Sequence, residues 1–580
     1  MLWHIGNTTV RTPYRLKAAL AALQGTPLNG NLYGREAESA FAKLLHDTDV
    51  VNVARLEEGD NKDVSDLGRK WRSALSQLGF ITHKVDDDLL RESTGEIDSL
   101  TGRSFEITPN GYRLINAEQT TAQQECFLRS LLAYQIPSVI EPRYACNPFS
   151  PLKFVIDIFF SLTERGAEGY ISFVEFALFI QTSSPEDGID SIVNEIISYR
   201  QRKSFASGKI REFHKGEYSQ AVYKTDPKTL HDKIDTKSQT LDDYADLSLR
   251  YLKATGIFRS YGHGITISAS KEQIAKIIHQ SAIEASSQKN YLLNLWKGAI
   301  LPTDQEETAI QVINDLSQKI EAKGQSVTIS STIEVSQQRH ILEEQLIQLE
   351  ELEYYRSQAS QLDDISAWIE TLLGRSAILP DGTKPKIPRG EAPAYFEWII
   401  WRAFLAINSL VNQPWEARRF QIDQDFLPIS TAPGNGPDLV FEFENAIIVV
   451  EVTLTSSSRQ EAAEGEPVRR HVAKYVEAQN SGGKPVFGLF LAINIDSNTA
   501  HTFRTGDWYL KDDTKTNLHI VPMKLDDFLS LFNFGKTRLE NMPSILQEVI
   551  RSCRMEATQD APAWKATISN IISRTVATDQ

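Results

Sequence analysis

The sequence is poor in cysteine and has no long apolar run. Of its 580 residues, only Cys126, Cys146 and Cys553 carry a thiol, and three scattered cysteines make neither a disulfide framework nor a zinc-ligand set. No stretch reaches the ~18 consecutive apolar residues of a membrane-spanning helix, and the start lacks the basic-then-apolar layout of a secretory signal. These absences predict a cytoplasmic protein without a membrane segment.

The sequence also lacks an excess of positive charge. Lys and Arg number 61 against 76 Asp and Glu, so the net charge is −15. A nucleic-acid-binding surface is a local patch, however, and the charge of the whole chain does not test for it. Residues 199–237 contain ten Lys or Arg and five Asp or Glu, with aromatic residues between them. This strip can contact phosphates, although a charge run is more often only a solvated face.

The length allows about three or four domains at ~150 residues each. Hydrophobic residues make up 41% of the chain, which is enough for packed cores. We predict a multidomain α+β protein with a mostly helical N-terminal half, a helical linker and a C-terminal α/β domain with a mixed central sheet. The predicted boundaries are residues 1–285, 286–375 and 376–580.

Two stretches in the N-terminal half, near residues 63–116 and 240–270, predict winged-helix-like units. In the first, a helix ends near Gly79, and residues 106–108 and 112–115 are predicted strands around a Pro-Asn-Gly turn. In the second, a helix ends near Gly256 and a hairpin turns at Gly-His-Gly. Such modules place a helix in the DNA major groove. The alternative for the first helix is that its Trp is core and its cations only snorkel.

The most informative stretch is residues 437–471, where carboxylates follow apolar runs. Asp438 precedes LVFEF, a predicted strand, and Glu451 lies in AIIVVEVTL, a predicted buried strand joined to the first by a hairpin. Paired carboxylates at one end of a sheet can hold a hard cation such as Mg²⁺. Strand-end carboxylates are more often solvated turn residues, but Glu451 interrupts an apolar run, which is costly unless the carboxylate is paired or bound to metal.

The surrounding residues predict the remaining elements of this domain. A helix near residues 395–410 carries Glu397, for which a first-turn position favoured by the helix dipole is the plain alternative. A strand is predicted near residues 420–422, a helix after His471, and buried strands at VFGLFLAINI and NLHIVPM. Helices would then cover both faces of the sheet.

These motifs together resemble a known family. PD, twelve intervening residues and EVT resemble the PD-(D/E)XK nuclease core. With FEWIIW upstream and EGEPVRRH downstream, the set is similar to the AlwI-type family of type IIS restriction endonucleases and their strand-nicking relatives. The opening W-x-x-G-N-T-T-x-R, FAKLL and RYLKATGIF extend the resemblance over most of the chain.

The resemblance implies a site. Its catalytic residues would be Glu397, Asp438, Glu451, Glu464 and His471, with Mg²⁺ held by Asp438, Glu451 and the carbonyl of Val452. The lysine of the superfamily's ExK motif is replaced here by Thr453. His471, Lys474 or a second metal ion held by Glu464 and Glu397 are the open alternatives for the charge that this lysine would supply.

The resemblance also implies a function: binding of a short asymmetric site on double-stranded DNA and metal-dependent cleavage a few base pairs away. Nicking of one strand and cutting of both, by transient pairing or with a partner subunit, stay open, and a cognate methyltransferase is implied. A DNA-binding protein with an inactive nuclease core and a repair or transposition nuclease are the alternatives. The candidate DNA-binding residues are Arg11, Arg69, Lys70, Arg72, Arg200, Arg202 and Lys203.

Overall fold

The computed structural model describes residues 1–51, 63–206, 209–282, 286–328, 333–456, 459–479 and 483–577. The chain divides into two compact units, Met1–Leu346 and Ile347–Gln580. Parts of two predicted segments, residues 207 and 208 of the basic strip and 329–332 of the linker, lie outside the described residues. Within the described part of the chain, no helix combines the length and apolarity that crossing a membrane requires.

The N-terminal unit is built mainly from helices. They are α1 (Arg15–Leu23), α2 (Arg35–Asp47), α3 (Ser65–Gln77), α4 (Asp87–Thr94), α5 (Pro109–Asn116), α6 (Thr120–Ala133), α7 (Pro151–Glu164), α8 (Phe173–Glu175), α9 (Ile189–Phe205), α10 (Ile210–Thr225), α11 (Ile234–Ala254), α12 (Glu272–Gln280), α13 (Gln288–Lys297), α14 (Glu306–Ala322) and α15 (Val335–Gln358). The last of these contains the boundary between the units. The segment predicted as a linker contains helices α13, α14 and α15, while its role as a linker and its limits stay a prediction.

The second predicted helix–hairpin is present. Helix α11 ends at Ala254, and Gly256 follows with a φ of +72°, a backbone conformation that glycine adopts without strain. Strands β2 (Phe258–Tyr261) and β3 (Gly264–Ile267) form the hairpin, and β1 (Ile171–Ser172) pairs antiparallel with β3. The sheet has the order β1-β3-β2, and the tip of the hairpin is exposed to solvent.

The first predicted hairpin is wrong. The helix before it is confirmed as α3, but residues 109–116 form helix α5 instead of a turn and a strand. The hydroxyl of Thr108 accepts a hydrogen bond from the Gly111 N–H at 3.1 Å, and Pro109 occupies the first helical position. This N-cap with its proline begins a helix, and it outweighs the turn propensity of the Pro-Asn-Gly sequence.

The core alternative for Trp71 on α3 is the one found. Its side chain is 3% exposed, so it packs inside the unit and does not face a partner. Only Ile107 of the predicted first strand pairs, in an antiparallel bridge with Ile81. Among described residues 63–116 there is accordingly a helical cluster and no β-wing.

The C-terminal unit surrounds a mixed sheet with helices. Its helices are α16 (Leu362–Leu372), α17 (Ala392–Leu405), α18 (Pro414–Ala417), α19 (Arg459–Ala478), α20 (Ser497–Thr505), α21 (Leu525–Gly535), α22 (Met542–Met555) and α23 (Ala561–Ala577). Its strands are β4 (Leu439–Glu442), β5 (Ile447–Thr453), β6 (Val486–Ala492), β7 (Asp507–Tyr509), β8 (Lys515–Asn517) and β9 (His519–Lys524).

The central sheet has the order β4-β5-β6-β9. Strand β4 is antiparallel to β5, whereas β6 is parallel to both β5 and β9. This confirms the predicted hairpin and the mixed sheet. Strand β6 is buried at every position, as expected of a near-continuous apolar run covered on both faces. The ring of Phe404 on α17 stacks on Phe441 of β4 with centroids 4.0 Å apart, which seats the helix on the sheet.

The strand predicted near residues 420–422 is wrong. Ile422 forms only an isolated bridge with Pro428. Two of the main-chain donors beside this pair go to side chains: the Gln421 N–H donates to Ser430 Oγ, and the Leu427 N–H donates to Asp423 Oδ1. The ladder therefore does not extend beyond one bridge. The segment instead turns between Asp423 and Leu427, whose main chains are hydrogen-bonded.

Candidate active site

The register of the β4–β5 hairpin places Asp438 and Glu451 side by side. Leu439 pairs with Val450 across the hairpin, so the two carboxylates occupy the next position along it. The Val452 N–H donates to Asp438 Oδ2 at 2.8 Å, and the side chains of Asp438 and Glu451 share a hydrogen bond. The structure thus brings together the two residues on which the predicted metal site depends.

Burial makes ionisation of Glu451 unfavourable. The residue is 6% exposed, and desolvation, reinforced by the charge of Glu464, raises its pKa to about 8. For Asp438, burial and the neighbouring Glu451 charge raise the pKa well above the ordinary aspartate value. Several negative charges at close range are the condition that a bound cation relieves.

Glu397 joins this group from helix α17. It is 5% exposed, and its Oε2 accepts a hydrogen bond from the Ala432 N–H at 2.7 Å. Burial and the charge of Asp438 raise the pKa of Glu397 well above its ordinary value. Since α17 begins at Ala392, Glu397 lies beyond its first turn, and the helix-dipole alternative is wrong.

His471 on α19 pairs with Glu451. Its Nδ1 is hydrogen-bonded to Glu451 Oε1 at 2.6 Å, and the ring is 5% exposed. Burial lowers the pKa of His471, which favours the neutral ring. Its Nε2 is buried and has no hydrogen-bond partner among the described residues. A ligand, a water or a metal ion would satisfy it.

Glu464 is also on α19, so the segment expected to be merely polar is helical. The hydroxyl of Thr453 hydrogen-bonds to the Glu464 carboxylate, and burial raises the pKa of Glu464. Thr453 occupies the position of the superfamily lysine. The side chain at that position therefore holds a carboxylate and brings no positive charge. We call Glu397, Asp438, Glu451 and Glu464 the carboxylate cluster.

Sequence reasoning missed Arg419. Its positive charge lowers the pKa of both Glu451 and His471, although burial dominates each shift. Its guanidinium contacts the loop that leads into Asp438. No spacing rule pointed to it, because it precedes the PD motif by a loop whose path the sequence does not reveal. Lys474, one of the three candidates for the missing charge, is exposed on α19.

The side chains of this site match part of the ligand set that a hard divalent cation requires. Across the described ranges, no group of three or more His, Cys, Asp or Glu side chains is arranged to hold a metal ion. Mg²⁺ commonly takes only one or two carboxylates and completes its octahedron with water and phosphate. The Asp438–Glu451 pair and the orphaned Nε2 of His471 are consistent with that kind of open site.

Most candidate DNA-binding cations lie in ion pairs within the N-terminal unit. The pairs are Arg11 with Asp243 and Asp246, Arg69 and Lys70 with Asp66, Arg72 with Glu38, Arg200 with Glu175, and Arg202 with Glu217. Lys203 makes no ion pair among the described residues. An Arg that is already paired gains less from a phosphate, so Lys203 is the most available of the seven.

Comparison with known proteins was informative at the family level. The family model described as AlwI restriction endonuclease matches residues 76–531, most of the chain. Among solved structures, the chain is similar to the "small subunit (R.BspD6I2) of the heterodimeric restriction endonuclease R.BspD6I", at 25% identity and a TM-score of 0.29. That match covers 36% of this chain and 97% of the other. A comparison with curated proteins found no match.

Proposed function

The chain belongs to the AlwI restriction endonuclease family, and on that basis we propose that it is a type IIS enzyme. It would bind a short asymmetric site on double-stranded DNA and hydrolyse phosphodiester bonds a few base pairs outside that site. Family membership by itself makes the chain a restriction endonuclease, a nuclease that acts on DNA. The cleavage offset, the use of Mg²⁺ and the residue roles that follow belong to the proposal.

The observation that carries the proposal is the convergence of the carboxylate cluster on one end of the β4–β5 hairpin. Four acidic side chains gather there, two from helices, one from strand β5 and one from the residue just before β4, and each of them is at least partly buried. A purely structural arrangement would pair such charges with cations, since unpaired buried charges are strongly destabilising. Their concentration here supports a cation-binding catalytic role.

Asp438, Glu451 and the Val452 carbonyl would hold Mg²⁺. When bound, such an ion polarises a phosphate oxygen and lowers the pKa of water. Glu397 and Glu464 would set the charge of the site. His471 is oriented by Glu451 so that its free Nε2 can accept a proton from the attacking water.

The N-terminal unit would carry DNA recognition. The β2–β3 hairpin presents Tyr261 and His263 in solvent at its tip, which is where a wing contacts DNA. Lys203 would contact a backbone phosphate. One carboxylate cluster serves one strand at a time, so cutting both strands would require a transient homodimer or a partner subunit. A restriction enzyme of this kind would work in the cytoplasm.

Replacement of Glu451 by Ala tests the proposal. We expect supercoiled plasmid carrying many candidate sites to stay intact with Glu451→Ala and Mg²⁺, while the wild-type protein nicks or linearises it. Glu444→Ala, which removes an exposed carboxylate from the turn of the same hairpin, is the matched control and should cut normally. Undiminished cutting by Glu451→Ala would refute the site.

Sequencing the DNA ends made by the wild-type protein would give the cleavage offset and the strands that are cut.

One observation favours a second candidate, a DNA-binding protein with an inactive core. Thr453 takes the place of the catalytic lysine and is engaged with Glu464. In that case the wild-type protein would bind a specific duplex and leave it intact with Mg²⁺ or Mn²⁺ at every protein concentration. The same plasmid assay separates the two candidates.

A further inference from the structure

Thr453 cannot supply the positive charge of an ExK lysine, so the proposed function calls for another cation. In a phosphodiester hydrolysis, negative charge grows on the phosphate, and a cation aimed at it stabilises the transition state. His471 is hydrogen-bonded to Glu451 through Nδ1, and the proposed function already assigns it the proton of the attacking water. Lys474 is exposed to solvent on α19. Neither His471 nor Lys474 is therefore well placed to be the cation that stabilises the charge on the phosphate.

Arg419 is held beside the carboxylate cluster by a clamp of oxygen atoms from residues 433–437. Its Nη1 donates to the carbonyls of Pro433 at 3.3 Å and Pro437 at 3.4 Å, and its Nη2 donates to Asn435 Oδ1. Pro437 is the residue immediately before Asp438. The guanidinium is therefore anchored one peptide unit from a proposed metal ligand.

Gly436 leaves the space that this clamp needs. A Cβ built on Gly436 would overlap Arg419 Nη1, so any larger residue would displace the guanidinium. The φ of Gly436 is not in the left-handed region. The constraint on this position is thus the close approach of Arg419, and backbone freedom does not account for it.

Arg419 differs from its neighbour Arg418 in having no acidic partner among the described residues. Arg418 forms two hydrogen bonds of 2.8 Å with Glu351, an ion pair that neutralises it. Within the part of the chain that the structure describes, Arg419 makes no ion pair. A guanidinium has five N–H donors, and the clamp uses three, so two remain for a ligand.

We propose that Arg419 is the catalytic cation of this enzyme and donates to the scissile phosphate with the N–H groups that the clamp leaves free, a role that rests on the proposed function. The loop of residues 433–437 fixes the guanidinium in advance, as a preorganised donor requires. Arg419, which is distant in sequence from Glu451, would then supply the positive charge that the lysine of an ExK motif supplies from the position of Thr453. No proton is transferred by Arg419, and no bond to it forms or breaks.

The test compares substitutions of Arg419 in single-turnover cleavage of a plasmid or duplex. Arg419→Gln should lower the cleavage rate about 10²- to 10³-fold, as removal of one preorganised donor does elsewhere. Arg419→Lys keeps the positive charge but lacks the paired N–H donors of a guanidinium. Its cleavage rate should lie between those of Arg419→Gln and the wild type. Added guanidinium ion should partly restore Arg419→Ala, which a merely structural role would not predict. Gly436→Ala, in which Arg419 is present but displaced, should also cleave DNA more slowly than the wild type.

Binding provides a second readout that does not require cleavage. With Ca²⁺ in place of Mg²⁺, the slope of log affinity against log salt for duplex DNA should fall by about 1 in Arg419→Gln, because one phosphate contact is lost. Lys511→Gln removes an exposed cation from the same unit and should change neither the rate nor the slope. Thermal unfolding of each variant checks that the unit is folded.

The outcomes separate the role of Arg419 from the proposed function. If wild-type protein cuts, Glu451→Ala does not, and Arg419→Gln cuts at the wild-type rate with an unchanged salt slope, the role of Arg419 is refuted and the function stands. The role of Arg419 is also refuted if Lys474→Gln lowers the cleavage rate and Arg419→Gln does not. If wild-type protein never cuts, the function itself fails.

Discussion

A buried ion-pair network in the N-terminal unit and the carboxylate cluster of the C-terminal unit treat buried charge in opposite ways. In the N-terminal unit, Lys271 and Arg339 both contact Glu343 at 2.9 Å, and Arg339 reaches Glu125 at 3.1 Å. Opposite charges alternate through this network. In the C-terminal unit the carboxylate cluster places like charges together, with Arg419 the nearby cation that acts on it. One network consolidates the fold, and the other is suited to binding a cation.

The pKa values record the difference. Burial opposes ionisation in both units, but Arg129 and Arg339 lower the pKa of Glu125 to about 2, and Lys271 lowers that of Glu343. The pKa of Glu451 rises to about 8, because burial and Glu464 act in the same direction. The acidic groups of the N-terminal network are thus stabilised in their ionised form by cations, whereas burial and like charges oppose ionisation in the carboxylate cluster.

The largest expected effect is on catalysis. Asp438→Asn keeps the shape of the side chain but removes a charge of the proposed metal site, so we expect at least ~10³-fold slower plasmid cleavage. The same change relieves repulsion, and thermal unfolding without divalent cation should occur at a higher temperature than for the wild type. If Asp438→Asn is inactive and unfolds at a lower temperature than the wild type, the carboxylates of this cluster do not repel one another enough to destabilise the folded protein.

Breaking the paired network should have the largest effect on stability. Glu343→Gln leaves Lys271 buried without Glu343 and removes one of the two carboxylates that Arg339 contacts. Loss of one member of a buried ion pair costs about 3–5 kcal/mol. Chemical denaturation monitored by circular dichroism would measure it. Glu344→Gln changes the exposed neighbour on the same helix and should be nearly neutral. Equal effects of the two substitutions would contradict the contrast between the units.

The pH dependence of unfolding should reveal the suppressed charge of the C-terminal unit. Because the folded-state pKa of Glu451 is raised, its proton stabilises the folded protein at low pH, and this stability is lost as pH rises from about 4.5 towards about 8. We expect the C-terminal unit to unfold at a lower temperature at pH 8 than at pH 6, measured by differential scanning calorimetry without divalent cation.

Glu451→Gln should flatten that pH dependence, since it cannot titrate. Added Mg²⁺ should restore the wild-type unit at pH 8 and leave Glu451→Gln almost unchanged. If the wild type unfolds at the same temperature across this range, the charge on Glu451 is already compensated within the protein.

The smallest effect is expected on DNA affinity. Lys203→Gln should weaken binding to specific and non-specific duplex alike and reduce the salt slope by about 1, as loss of a phosphate contact does. Arg69→Gln, where the cation is paired with Asp66, should change the slope less. Fluorescence anisotropy over a salt series would measure both. A larger change for Arg69 would mean that ion pairing does not decide which cations are available.

Local patterns predicted most of the elements correctly. Helix α3, helix α11 and the β4–β5 hairpin follow from apolar periodicity and from turn residues that lie close together in the chain. The strand predictions that failed did so for equally local reasons: the Thr108 side chain caps a helix, and the side chains of Ser430 and Asp423 take two of the main-chain donors beside the Ile422–Pro428 bridge. At both places, side-chain hydrogen bonds outweighed a strand-like pattern.

That Asp438 and Glu451 meet follows from the amino-acid order alone, because a tight hairpin joins their strands and alternation fixes their side. The approach of Glu397, the hydrogen bond from His471 to Glu451 and the clamp on Arg419 beside Asp438 follow only from the folded chain. These side chains come from elements whose mutual placement depends on how helices and loops pack on the sheet. Spacing along a chain carries no information on such placement, since it is set by the shape of the whole core.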